Sequence, residues 1–292
     1  MDQLSWHQFY KHSKLDIKHV TNKISAFNRM VYYTNNFFVI VGYGAFNKGY
    51  LLVVSKKRIS AFALISKNLL SEFKWILNFS KKLLKSIYKD CEVAIFEHGL
   101  CACIGGLDRA HLHFMPYSKK NKKNMVKAIN QSLKRRRIGI KYVKFDNQKF
   151  DHIEDIDTIL ENFSDHKELS IKGKYLKLND IKNKKKINDY PLNLTKEAKN
   201  NKTYIFFDSS SADSSFITFE NINTQLGREI IFNCENNSSK YKKFITKKNN
   251  ELIWKWQDQM FEKNIIQTIK DISVNKFIKK EQENNQYGLV TF

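Results

Sequence analysis

The order of segments between residues 37 and 116 constrains this chain more than any other feature: strand, strand, long helix, strand, strand. Phe37-Phe38-Val39-Ile40-Val41 is a continuous apolar run that reads as a buried strand. Gly42-Tyr43-Gly44-Ala45-Phe46-Asn47-Lys48-Gly49 follows as a turn, and Tyr50-Leu51-Leu52-Val53-Val54 as the returning strand, which predicts an antiparallel hairpin. Lys56, Lys57 and Arg58 form a cationic cluster at its end. From about Ser66 to Tyr88, Leu69, Phe73, Ile76, Leu77, Leu83, Leu84 and Ile87 recur at helical spacing, the pattern of an amphipathic helix laid on a sheet. Cys91 to Phe96 is a third strand, and Glu97-His98-Gly99 leads through a loop to a fourth. Such an order predicts an α+β fold with an antiparallel sheet and one long packed helix.

The fourth strand carries the chemistry. In Arg109-Ala110-His111-Leu112-His113-Phe114-Met115-Pro116 side chains alternate between faces, so Arg109, His111 and His113 share one face and Ala110, Leu112 and Phe114 the other. Imidazole is nucleophile, proton carrier and metal ligand, while guanidinium holds phosphate oxygens in a fork. The row therefore suits phosphate chemistry or a metal, and a solvent-facing strand edge is the plain alternative. Upstream, Gly105-Gly106 lets backbone approach a ligand closely, which favours a phosphate site. Pro116 is expected to end the strand. Cys101 and Cys103 lie near these histidines, but Cys-x-Cys is not a usual zinc spacing, and no metal is expected.

Among 292 residues, 42% are hydrophobic and 13% aromatic, enough for a folded chain with a real core. No stretch has the length of a membrane span, and the N-terminal MDQLSWHQFYKHSK is too polar for a secretory signal. Four cysteines without framework spacing fit a reducing compartment, so the expected location is cytoplasmic and no membrane partner is expected. The net charge of +22 has two readings. One is a polyanionic partner such as nucleic acid; the other is coding bias, since Lys, Asn and Ile are abundant while Arg, Ala and Pro are scarce.

The remaining chain divides by composition. Residues 1 to about 30 are polar with Trp6, Phe9 and Tyr10 hinting at an amphipathic helix. Residues 120–137 read as a basic helix ending in Arg135-Arg136-Arg137, followed by a strand over Ile140–Phe145 and a helix over about Ile153–Phe163. A Lys/Asn-rich insertion occupies about 179–202. Thr203–Phe207 and Phe216–Phe219 are strands around a serine-rich turn, a helix holds Gln225, Arg228 and Ile231, and a last amphipathic helix spans about Phe261–Phe277.

Together these pieces resemble the histidine-triad superfamily. Arg109 to Met115 resembles its His-φ-His-φ-His-φ-φ signature, where φ is apolar, and the hairpin with Asn36-Phe37 and Gly49 to Lys56 is similar to its nucleotide-binding hairpin. Glu97-His98-Gly99, Gly106-Leu107-Asp108, Gln225-x-x-Arg228 and Trp254-x-Trp256 resemble a longer bacterial branch, so the likeness spans about residues 30–275. It implies a histidine-triad-like nucleotide-binding domain over 1–145 and a C-terminal α+β extension over 146–292. It also implies an enzyme that cuts at an α-phosphate: His111 attacks phosphorus, a nucleotidyl-imidazole forms, and His113 contacts phosphate oxygens or the leaving group. No cofactor enters that scheme. The substrate class would be a dinucleoside polyphosphate or a nucleoside phosphoramidate, and homodimers are common in the family.

One departure stands out: the first triad position is Arg109, which leaves the orientation and tautomer of His111 open. Arg109 is expected to hold phosphate oxygens, donating permanently. Asn36, Phe37, Lys56, Gly105, Gly106, Gln225 and Arg228 are the expected nucleotide- and phosphate-binding residues. His98 reads either as a partner that orients the histidine pair or as an imidazole bonded to backbone; Arg228 either closes the pocket or makes a surface ion pair. Trp254 and Trp256 read as core or lid aromatics more readily than as base-stacking platforms. A nucleotide or RNA binder without turnover, and an enzyme removing adenylate from a nucleic-acid end, use the same residues.

Overall fold

The computed structural model describes residues 29–42, 44–57, 59–100, 103–104, 107–135, 191, 199, 204–210, 214–218, 225–235, 262–283 and 286–291. Strands β1 (Met30–Tyr33), β2 (Phe37–Val41) and β3 (Leu51–Ser55) lead into helix α1 (Leu70–Ile87). Then come β4 (Cys91–Gly99), the short β5 (Cys103–Ile104) and β6 (Leu107–Asp108), β7 (His111–Ser118) and α2 (Met125–Arg135). The C-terminal half supplies β8 (Tyr204–Asp208), β9 (Phe216–Thr218), α3 (Leu226–Cys234), α4 (Glu262–Ser273), α5 (Lys276–Glu283) and β10 (Val290–Thr291).

Eight strands form one antiparallel sheet in the order β10-β1-β2-β3-β7-β4-β8-β9, while β5 and β6 pair separately. The fold is α+β. β8 and β9 from the C-terminal half extend the sheet beyond β4, and β10 closes it against β1, so the sheet is continuous across residue 145. The histidine strand β7 lies inside it, flanked by β3 and β4.

Residues directly opposite in register share a face. One face carries Val39, Val53 and Leu112 in a row, with Tyr32 and Phe37 on the same side. Helix α1 covers it, because Phe73, Ile76, Phe79 and Leu83 fall on one stripe. Phe73 meets Phe37 at 5.8 Å between centroids, Phe79 meets Tyr32 edge-on at 5.1 Å, and the Tyr32 hydroxyl donates to Ser80 Oγ at 2.9 Å. The other face carries Ile40, Leu52, His113, Phe96 and Phe207 in one row and Phe38, Val54 and His111 in the next. Helix α3 packs over this second face, with Gly227 directly against the Phe96 ring.

Three expectations change. Pro116 does not end its strand, which continues to Ser118. The Ala110 carbonyl accepts from Ser55 and the Pro116 carbonyl accepts from Asn47, so both residues turn their backbone groups to the β3 side. The register with β3 stops at Leu51–Phe114, so the N–H that proline lacks is not needed for the ladder. The last helix is two: α4 ends at Ser273, and Asn275 Oδ1 accepts from the Phe277 amide at 2.8 Å to start α5. Gln225 lies before α3 at φ 85°, not within it. The readings at residues 1–28, Arg136, Arg137, 140–145, 153–163, Trp254 and Trp256, and most of the 179–202 insertion, lie outside the described residues. Among the described residues no helix is long and apolar enough to cross a membrane.

Candidate functional site

Strand alternation puts His111 and His113 on one face, and the fold keeps them together: their ring centroids are 4.9 Å apart at 64°. Both are largely buried, 5% and 6% exposed. His111 Nδ1 lies 3.0 Å from the Arg109 carbonyl. A carbonyl only accepts, so Nδ1 carries the proton and the Nε2 lone pair is left to react. Burial lowers the pKa of His111, partly countered by that same bond. His113 falls well below the usual histidine value through burial first, then through His111, His98 and Arg228. Both rings are therefore neutral at pH 7, the state a nitrogen nucleophile requires.

The backbone of residue 109, not its side chain, thus sets the tautomer of His111. The Arg109 guanidinium does something else. Its Nη1 donates to the Lys56 carbonyl at 2.6 Å and the Ser55 carbonyl at 3.3 Å, tying the start of β7 to the end of β3. That is a bracing role, and these donors point at backbone.

His113 sits in an aromatic slot. Phe96 stacks beneath it at 4.5 Å and 9°, His98 stands edge-on at 5.8 Å, and the Tyr50 hydroxyl is 2.7 Å from Nδ1. Helix α3 brings Arg228 to the same place. Its guanidinium lies over the rings of Tyr50 and Phe46, at 4.9 and 5.4 Å, and Nη2 donates to the Gly44 carbonyl at 2.5 Å. Only 1% of Arg228 is exposed, so it is not the surface ion-pairing residue that was one reading of the sequence. The two rings and the carbonyl offset its desolvation.

The other expected site residues are dispersed. Asn36 is committed to Glu72: its backbone amide donates to Oε1 at 2.8 Å and its Nδ2 to Oε2 at 2.6 Å. Phe37 is fully buried between Phe62 and Phe73 on the face opposite the histidines. Phe37 does not reach the histidine pair, because the strand parity that aims Phe38 at the His111 row turns Phe37 away. The Lys56 ammonium stands over Tyr33 and Phe38, at 4.7 and 4.9 Å; burial lowers its pKa and Glu72 raises it. Gln225 places Oε1 in a buried position with no hydrogen bond among the described residues, just ahead of α3. Gly105 and Gly106 lie outside the described residues. His98 joins the cluster, sharing its face with Phe96 and His113.

Sequence reasoning missed three contributors. Tyr50 and Phe96 read as ordinary strand residues, and only the register of β3 and β4 against β7 reveals their contact with His113. Glu97, read simply as the first residue of Glu-His-Gly, points away from His98. It is fully buried, accepting from the Phe62 amide at 2.8 Å and from the Tyr204 hydroxyl. A carboxylate directly following the apolar strand run Val93-Ala94-Ile95-Phe96 was the available signal.

No family model matches the chain, and no curated protein is similar to it. Among solved structures it is similar to a hypothetical protein from Leishmania major, at 11% identity and a TM-score of 0.30, over 46% of this chain and 83% of that one.

Proposed function

We propose that this chain is a nucleotide hydrolase or nucleotidyl transferase that acts at an α-phosphate through a nucleotidyl-His111 intermediate. The observation that carries the reading is the bond from His111 Nδ1 to the Arg109 carbonyl, beside a second neutral imidazole 4.9 Å away. In the first step the Nε2 lone pair forms a bond to phosphorus, and the bond from phosphorus to the leaving group breaks with its electron pair. His111 becomes a substituted imidazolium whose positive charge is eased by the Nδ1–H donated to the carbonyl. In the second step water, or another hydroxyl acceptor, bonds to phosphorus and gives up its proton to solvent, while the P–N bond breaks and the pair returns to Nε2. Two easier displacements replace one difficult one. Dinucleoside polyphosphates and nucleoside phosphoramidates are the substrate class, being nucleotides with a leaving group on the α-phosphorus.

The test is hydrolysis of diadenosine tetraphosphate and a fluorogenic adenosine phosphoramidate. Turnover that falls at least about 10³-fold in His111→Ala supports the proposal. Tight nucleotide binding with no turnover by the unaltered protein refutes it in favour of a silent binder. A nucleic-acid substrate has one observation of its own: Lys119, Lys120, Lys122 and Lys123 are all exposed on the turn that follows β7. An oligonucleotide affinity that drops steeply with salt, together with release of a 5′-adenylate, would select that substrate.

A further inference from the structure

We infer that Tyr50, held by Arg228 from the C-terminal half of the chain, is a positioning residue that fixes His113 as the Nε2–H tautomer, opposite to that of His111. The geometry leaves little choice. The Arg228 guanidinium lies over the Tyr50 ring, 4.9 Å from its centroid, and its positive charge makes the phenol a readier proton donor. In a neutral pair phenol is the better proton donor and an imidazole nitrogen the better acceptor, so the Tyr50 hydroxyl proton is directed to His113 Nδ1, 2.7 Å away. Tyr50 therefore donates to Nδ1, and the proton of the neutral ring resides on Nε2. The Tyr50 and His113 rings lie parallel, 7° between their planes and 5.9 Å between centroids. Phe96 beneath the imidazole prevents the ring from tilting out of that bond.

The consequence is a pair of neighbouring imidazoles with complementary faces. His111 keeps a bare Nε2, because a backbone carbonyl has taken its Nδ1–H. His113 keeps its proton on Nε2, because a phenol has claimed its Nδ1. One ring is ready to attack and the other ready to donate to a phosphate oxygen or to a departing atom. Arg228 then works at one remove, through Tyr50, and not as a direct phosphate ligand. This also explains why an arginine sits fully buried beside two histidines: it polarises the phenol that sets one of them.

The purpose of the relay rests on the proposed nucleotide chemistry, but its existence can be measured without substrate. In the unaltered protein labelled with ¹⁵N-histidine, long-range ¹H–¹⁵N spectra at pH 7.5 should show His113 with a pyridine-like Nδ1 and a pyrrole-like Nε2, and His111 the reverse. Tyr50→Phe keeps the ring against Arg228 and removes only the hydroxyl. The His113 nitrogens should then move toward averaged values while those of His111 stay. On a nucleotide substrate the same variant should lose about fivefold in kcat with KM little changed, the tautomer ratio that one neutral hydrogen bond commands. A protonated Nδ1 on His113 in the unaltered protein overturns the inference, and so does a His113 signature indifferent to Tyr50→Phe. Should Tyr50→Phe fail to fold, the spectrum of the unaltered protein still decides. If no nucleotide is turned over, the proposed function fails while the spectra judge the relay separately.

Discussion

Adding one methyl group at Gly227 tests how tightly α3 is pressed onto the histidine face. A Cβ there would lie 2.3 Å from Phe96 Cδ2, 2.5 Å from Cγ and 2.6 Å from Cε2, well inside carbon–carbon contact. Phe96 has nowhere to go. His113 stacks on it at 4.5 Å and Phe207 at 5.9 Å, and it is fully buried. Overpacking of this kind costs about 1–3 kcal/mol. Alanine's better helix propensity returns up to about 1 kcal/mol. Gly227→Ala should therefore destabilise by about 1–2 kcal/mol, a Tm drop of roughly 2–3 °C for a chain of this size. Circular dichroism melts and urea titrations at pH 7.5 read the loss directly. Ring-current-shifted resonances of His113 should move with it, because Phe96 can relieve the clash only by pressing on the imidazole. A Tm that stays level or rises would mean that helix propensity dominates, and the packing of α3 on Phe96 would be refuted.

Other perturbations probe the parts around it. Glu97→Ala leaves the Phe62 amide and the Tyr204 hydroxyl buried without an acceptor, so about 3 kcal/mol of stability should disappear in urea unfolding. Asn36→Ala removes one bond to Glu72 and should cost about 1–2 kcal/mol in the same assay while leaving nucleotide KM unchanged; a raised KM would return Asn36 to the binding site. For pH, both histidines have folded pKa values below the ordinary 6.5, while the unfolded chain takes up protons near 6.5. The stability they contribute is complete above that value and erodes as pH falls through it, because the unfolded state binds more protons. Urea midpoints at pH 7.5 and 5.5 should show the decline, and His113→Asn should flatten it.

Much of the fold could be read from the chain because local patterns and long-range packing agree in its first half. Continuous apolar runs became central strands, and the stripe of Phe73, Ile76, Leu83 and Leu84 became the buried side of α1. Strand alternation placed His111 and His113 on one face for the same reason. What escaped was everything set by pairing. β1 and β10 are short and join only each other and β2, so neither has a periodic signal of its own. Phe37 was expected to touch nucleotide, but a single step of strand parity puts it in the opposite core. Arg109 occupies a histidine position in the motif, and its spacing does not reveal that the carbonyl does the orienting while the guanidinium braces β3. Tyr50 and Arg228 are 178 positions apart by their numbering, and only the packing of α3 over the sheet brings them together.

The most direct test of the central claim is to look for the covalent intermediate. The protein is mixed with a labelled adenosine phosphoramidate, quenched within milliseconds in alkali where a P–N linkage survives, digested, and its peptides are mapped by mass spectrometry. The label should sit on the peptide containing His111, should depart when the reaction is given time to complete, and should be absent from His111→Ala. Turnover with no labelled peptide, or a label that persists in His111→Ala, would contradict nucleophilic attack by this imidazole.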